Sequence, residues 1–225
     1  MLYCVSAAKH ETLAPPAHEP VPRAVSADGL VGFVADSLVT GGGEGIADVE
    51  AALHFGQIVE HYHRQATVVP MRYGCRLPDE AAVTRHLQQH GQRYRRLLER
   101  LDDCVEMSLR RPLPKRVRHR PVIPISGRDY LRSRQQEFAA AARRAEWLDE
   151  IDAVLKGLYR ERRSEQGPFA GRQMLSTHYL VPRPQVAAFQ RTIEEWAGDR
   201  PRTDLLVSGP WPPYTFATDV SGASD

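Results

Sequence analysis

The sequence predicts an α+β protein in two units. Three observations carry this. Short apolar runs of strand length alternate with longer runs at helical spacing, in the order β-β-α-β-α-β over the first hundred or so residues. A proline-rich stretch with little to bury, 112–127 (Pro112, Pro114, Pro121, Pro124, Ser126, Gly127), interrupts the pattern. Beyond it, together with the strand just before it, the order becomes β-α-β-α-β, a ferredoxin-like plait short of one strand. The division expected is an N-terminal α+β domain over 1–104 and a C-terminal modified ferredoxin-like domain with a long helix over 105–225, the proline-rich connection lying at 112–127.

Each element has a local reason. Leu2–Ala7 is a first strand, and a loop containing Pro15, Pro16, Pro20 and Pro22 follows it. Gly29–Leu38 alternates loosely and reads as a second strand. Gly41-Gly42-Gly43-Glu44-Gly45 is a loop, and a helix runs from near Asp48 to about Arg64, with Val49, Ala52, Leu53, Gly56 and Val59 at helical spacing. Ala66–Arg72 is a short buried strand whose Pro70 places it at an edge or a bulge. Pro78-Asp79-Glu80 opens a second helix, its acids in the first turn where the helix dipole favours them. The stripe of that helix is Val83, Leu87, Gly91, Tyr94, Leu97, Leu98 and Leu101, and Val105–Leu109 is the next strand. A long helix is expected from about Asp129 to Arg163, its stripe Leu131, Phe138, Ala145, Leu148, Ile151, Leu155 and Leu158. Gln173–Val181 is a strand, and Pro184–Ala197 a helix with Val186, Phe189, Ile193 and Trp196 inward. Leu205–Ser208 is a last, buried strand.

Composition narrows the function class. The 225 residues are 42% apolar and 26% charged, in the range of a soluble globular protein. No apolar run is long enough to span a bilayer, and Met1-Leu2-Tyr3-Cys4-Val5 does not read as a secretory signal. Cys4, Cys75 and Cys104 are scattered and odd in number, which fits reduced thiols in a cytoplasm. Segment 110–134 carries nine Lys or Arg against Asp129 alone; that is +8 within a chain of net +2, leaving −6 elsewhere. Such clustering suits an anionic partner, or simply a solvated linker and helix start.

No catalytic motif assembles. The glycine run at 41–45 lacks the Lys-Ser or Lys-Thr of a phosphate-binding loop. His86 and His90 share a helix face but have no carboxylate or cysteine beside them, so neither a metal nor a cofactor is expected. His61 and His63 are two apart and point in different directions on a helix, while His54 reads as a packing residue. Asp102-Asp103, Asp149-Glu150 and Glu194-Glu195 sit at helix ends or on polar faces. The informative segment is instead Ser208-Gly209-Pro210-Trp211-Pro212-Pro213-Tyr214-Thr215-Phe216. Pro212-Pro213 imposes a stiff extended path, and Trp211, Tyr214 and Phe216 ride on it. A stiff backbone bearing three rings loses little entropy on docking, against its own domain or a partner.

Three stretches resemble the gas vesicle protein L/F family. Ala66-Thr67-Val68-Val69-Pro70-Met71-Arg72-Tyr73-Gly74 is similar to its V-L-P-[LM]-R-[FY]-G signature, and Gly127-Arg128-Asp129-Tyr130-Leu131 resembles the start of its long helix. His178-Tyr179-Leu180-Val181-Pro182 and the Gly209–Phe216 segment resemble its C-terminal pattern. Cys75, and the short Arg76-Leu77-Pro78 after Gly74, depart from it. The resemblance implies a non-enzymatic accessory or minor component of gas vesicles, the gas-filled protein shells that give buoyancy, with a cytoplasmic and gas-vesicle location. It implies two α+β domains, the second a modified ferredoxin fold. It further implies binding to the small apolar shell protein, gas vesicle protein A, and to other accessory proteins, so that the shell protein does not aggregate during nucleation. Trp211 and Tyr214, then Tyr73 and Arg72, are the contact residues this suggests, with packing inside the chain's own domains as the competing use. The alternative is a nucleic-acid-binding or ligand-sensing module on a ferredoxin-like fold, resting on segment 110–134.

Overall fold

Asp28 and Gly29 both take positive φ, 52° and 73°, and turn the chain back on itself in two residues. That conformation joins antiparallel strands tightly, and Asp-Gly is among the pairs best able to adopt it. The turn links β2 (Arg23–Ala27) to β3 (Leu30–Val34). The computed structural model describes residues 1–17, 20–36, 46–113, 134–135, 146–169, 171–200 and 204–218. In its N-terminal half, β1 (Leu2–Ala7) and β4 (Val69–Pro70) complete an antiparallel sheet in the order β2-β3-β1-β4. β2 was hidden in what reads as a proline-rich loop. Pro70 does lie at a sheet edge, where its missing N–H costs no ladder bond.

This sheet is covered on both faces. α2 (Glu80–Arg100) lays Val83, Leu87, Tyr94 and Leu97 on Leu2, Val5, Val25, Leu30 and Val34. α1 (Ile46–Gln65) packs Phe55, Ile58, Val59 and Tyr62 against Tyr3, Cys4, Val31 and Phe33, with Phe33 and Tyr62 stacked at 3.9 Å between centroids. A strand buried on both sides has no polar face, which is why Leu2–Val5 and Leu30–Val34 are almost wholly apolar. Of the stripe expected on α1, Val59 does face inward, but Val49 and Leu53 are exposed, and Phe55, Ile58 and Tyr62 complete the buried face instead. Asp79 Oδ1 accepts the Ala82 N–H at 2.7 Å and caps α2 as its acidic start predicts.

The second sheet has the order β6-β7-β5-β8, from β5 (Cys104–Pro112), β6 (Glu161–Phe169), β7 (Arg172–Pro182) and β8 (Leu206–Trp211), all neighbours antiparallel. With the helical residues 146–154 (α3) and α4 (Val186–Gly198) the sequence order is β-α-β-β-α-β, a full ferredoxin-like plait. The strand missing from the sequence reading is β6. The expected helix through Arg163 stops instead at a turn where Gly157 takes φ +84°, the left-handed conformation that ends helices. The polar run Glu161-Arg162-Arg163-Ser164-Glu165 then pairs as an edge strand. Residues 129–145 of that expected helix, apart from 134–135, lie outside the described residues, as does most of 112–127.

Alternation along β5 and β7 assigns the two faces of this sheet. Val105, Met107, Leu109, Leu175, Tyr179 and Val181 meet α3 and α4 through Trp147, Ile151, Leu155, Phe189, Ile193 and Trp196. The other face carries Glu106, Ser108, His178 and Leu180, and it meets the C-terminal segment and the N-terminal half.

Candidate functional site

The Gly-Pro-Trp-Pro-Pro-Tyr-Thr-Phe segment straps the two halves together. After β8 it turns at residues 214–216 and drives Phe216, fully buried, into the core formed by Leu2, Val5, Leu97, Leu101 and Leu180. Pro212 and Pro213 are buried, and Tyr214 packs half-buried against the α1 cluster, where desolvation raises its phenol well above the ordinary tyrosine range. The path into the strap needs Gly209. Its φ is +114°, and a Cβ there would stand 2.6 Å from the Glu106 carbonyl oxygen.

A buried carboxylate holds the strap down. Thr215 donates its backbone N–H to Glu106 Oε2 and its hydroxyl to Oε1, both at 2.8 Å. His178 Nδ1 lies 2.9 Å from the same Oε1 and 2.9 Å from Ser108 Oγ. With both carboxylate oxygens already accepting from Thr215, the geometry suits an Nδ1–H that faces Glu106 Oε1 and Ser108 Oγ together. This is not a nucleophile–base pair. Both the serine and the acid sit on the same imidazole nitrogen, whereas proton relay needs one on each.

His178 is 5% exposed, and among the described residues its Nε2 makes no hydrogen bond, the Glu165 carboxylate lying 3.5 Å away. It lines a cleft of about 340 Å³ with Arg72, Arg163, Ser164, Glu165, Tyr214, Thr215 and Thr218. Arg163 is committed: it donates to the Thr215 and Thr218 carbonyls and lies over the Phe216 ring. Arg72 is exposed and makes no side-chain hydrogen bond or ion pair to a described residue.

The four residues singled out from the sequence therefore separate. Trp211 faces outward, 47% exposed, on edge strand β8 beside Leu206 and Val207, which are also exposed. The last strand is not buried as expected; it lies at the sheet edge, and among the described residues β5 is its one strand partner. Tyr214 and Arg72 converge on the cleft, and Tyr73 packs edge-on against Phe55 at 5.6 Å. Glu106, Ser108 and His178 were missed, because their meeting depends on the β5–β7 register, Ser108 opposite His178. The one signal available was a histidine and an acid in otherwise apolar strands.

The other sequence candidates are accounted for locally. His61 and His63 do diverge: one ring reaches the Ala14 carbonyl, the other is buried on Cys104 O at 3.0 Å. His86 hydrogen-bonds Tyr94 at 2.7 Å, and among the described residues no three potential metal ligands cluster. Of the basic segment, Arg110 lies over Phe169 and Arg111 over Trp147; residues 114–133 are outside the described ones. Among the described residues no helix is long and apolar enough to cross a membrane.

A plait and a helix-covered sheet, joined by a C-terminal strap and carrying exposed apolar side chains on one sheet edge, define a two-sheet α+β scaffold. Solved structures share it. The crystal structure of GvpF from Anabaena sp. PCC7120 superposes with a TM-score of 0.73 at 16% identity, covering 100% of this chain and 98% of that one. GvpF from Microcystis aeruginosa gives 0.73 at 14%, covering 96% and 98%. The family described as gas vesicle synthesis protein GvpL/GvpF matches residues 1–218, and the chain belongs to that family. It is 30% identical over 169 residues to gas vesicle protein L of Streptomyces sp. (strain CB03234), over 66% of this chain, and spans 62% of that relative's length. Gas vesicle protein F of the same strain is 27% identical over 166 residues, 66% of this chain and 69% of its own.

Proposed function

We propose that this chain is a non-enzymatic assembly factor of gas vesicles. It binds the apolar shell protein, gas vesicle protein A, and limits its aggregation while the shell nucleates. The observation that supports this reading is the β8 edge, where Leu206, Val207 and Trp211 stand exposed beside a strand margin that pairs with no other strand among the described residues. Such an edge accepts an added strand through backbone hydrogen bonds, and large side chains beside it supply apolar burial. Trp211 is the anchor. Tyr214 and Tyr73 shape the scaffold behind it, and Arg72 contributes at the cleft. The two domains, 1–104 and 105–225, act as one body through the strap. Family membership carries the gas-vesicle setting, and with it the expected location at the vesicle in the cytoplasm and contacts with other accessory proteins.

Co-expression of gas vesicle protein A with and without this chain tests the reading, with soluble and pelleted shell protein quantified. The chain is expected to raise the soluble fraction, and Trp211→Ala to lose most of that gain. Equal aggregation in both cases refutes the proposal.

A further inference from the structure

The geometry points to Val207 as the single pairing position of the β8 edge, and to a strand that is apolar on both of its faces as what pairs there. This deepens the reading of β8 as the docking edge and rests on it. Backbone parity comes first. Leu113 donates its N–H to the Gln173 carbonyl, and Arg183 donates its N–H to the Asp103 carbonyl, both at 2.8 Å. These two bonds bracket the β5–β7 ladder and share its register, which runs without a shift. Along an antiparallel pair, hydrogen-bonded and non-hydrogen-bonded residues alternate. The odd-numbered residues of β5 therefore bond β7, while Glu106, Ser108 and Arg110 turn their backbone groups toward β8. Ser108 stands opposite Ser208, and Arg110 opposite Leu206. Leu206 and Ser208 are thus bonded to β5, and Val207 between them directs its N–H and C=O to the open margin. Among the described residues no strand lies beyond β8, and no loop carbonyl accepts the Val207 N–H.

The usable margin is short. Beyond Ser208 the register with β5 shifts, Gly209 leaves the extended conformation at φ +114°, and Pro210 has no N–H to offer. The N–H and C=O of Val207 remain. An antiparallel strand exchanges both bonds with Val207 through one residue, and a parallel strand makes them through the two residues flanking it. Two backbone bonds add little by themselves, because each replaces a bond to water. Side chains therefore decide which strand fits. Val207 lies opposite Leu109, on the sheet face covered by α3 and α4. Leu206, opposite Arg110, and Trp211, opposite Glu106, lie on the other face. All three side chains are exposed. A strand added here meets apolar neighbours on both faces. An alternating strand would set its polar side chains beside Val207, or beside Leu206 and Trp211. An uninterrupted run of branched apolar residues buries both sets. The occupant is accordingly an extended, continuously apolar segment of the partner, clasped at one residue.

Amide hydrogen exchange of the full chain, read residue by residue, is the test. In the free chain the Val207 amide should exchange about tenfold faster than those of Leu206 and Ser208, which the ladder to β5 protects. Two acetylated, amidated peptides are the probes: a core of five valines and isoleucines between paired lysines, and the same peptide with serine at every second core position. The first should slow Val207 exchange about tenfold and bind about tenfold more tightly than the second, the scale of a few buried methylene groups. Val207→Pro removes the outward donor without touching a bond to β5, a place where an edge strand tolerates proline. Its thermal midpoint should hold, while binding of the first peptide should fall about tenfold. A Val207 amide as protected as its neighbours in the free chain overturns the proposal. So does equal binding of the two peptides, or binding of neither. Should Val207→Pro fail to fold, exchange in the unaltered chain decides alone. Unchanged peptide binding by folded Val207→Pro removes the strand pairing and leaves docking to the side chains, with the wider reading intact. That reading fails separately, on equal aggregation of the shell protein with and without the chain.

Discussion

His63 makes the joint between the two halves sensitive to acid. It is 4% exposed near the C-terminal end of α1 and bonds the Cys104 carbonyl at the start of β5. The Arg183 guanidinium donates to the His63 carbonyl. Burial first, and Arg183 second, push the imidazole down from 6.5 to about 4. The folded state therefore wants His63 neutral, while the unfolded chain protonates it near its ordinary value. The contribution is fully present above about pH 6.5 and is lost progressively as pH falls toward 4. The full difference amounts to about 3 kcal/mol, and about 2 kcal/mol of it is lost between roughly pH 7.5 and pH 5. Urea unfolding across that range measures it, with the m-value checked for constancy. His63→Gln keeps a donor for Cys104 O but cannot be protonated, so its stability should fall less steeply over the same interval. His10 and His86 are also lowered, by burial first, and remain in both proteins, so the difference between the two profiles belongs to His63. Parallel profiles would refute the assignment.

Phe216→Ala empties a fully buried ring site shared by both halves and should cost about 3–5 kcal/mol in urea unfolding. Gly209→Ala must fit a Cβ 2.6 Å from a backbone oxygen at positive φ, so a loss on the order of 2 kcal/mol or more is expected, seen as a lower thermal midpoint. Asp79→Ala removes the α2 cap and should cost about 1 kcal/mol by the same measurement. Trp211→Ala should leave stability within about 1 kcal/mol, because the ring is half exposed on an edge, while reducing retention of the shell protein.

What escaped the sequence reading has a common physical cause. β6 is an edge strand with one neighbour and mostly exposed side chains, so its residues carry neither alternation nor an apolar run, and Glu-Arg-Arg-Ser-Glu reads equally well as the end of a charged helix. β2 is likewise an edge strand, and its Asp28-Gly29 turn was the legible signal that went unused. Val49 and Leu53 keep helical spacing with the true stripe but fall on its far side, and periodicity alone does not say which apolar residues turn inward. The α2 stripe was readable because its seven positions repeat over five turns against a single continuous partner.

The candidate site divides along the same line. The Gly-Pro-Trp-Pro-Pro-Tyr-Thr-Phe segment stands out in the sequence because two prolines and a glycine dictate its backbone locally. The same residues carry the family resemblance. Whether its rings grip the protein or a partner was a tertiary question, and the answer differs ring by ring: Phe216 is core, Tyr214 is packing at the cleft, Trp211 is surface. The Glu106–His178–Ser108 cluster was invisible for a sharper reason. Its members lie up to 72 residues apart, and only the antiparallel register of β5 on β7 places them on one face, under a strap that arrives from the far end of the chain. By itself the sequence determined the α+β class, the family and the stiff strap, because these rest on local backbone preferences and contiguous motifs. Strand pairing alone decided which side chains meet, since a one-residue change of register would turn Ser108 and His178 to opposite faces.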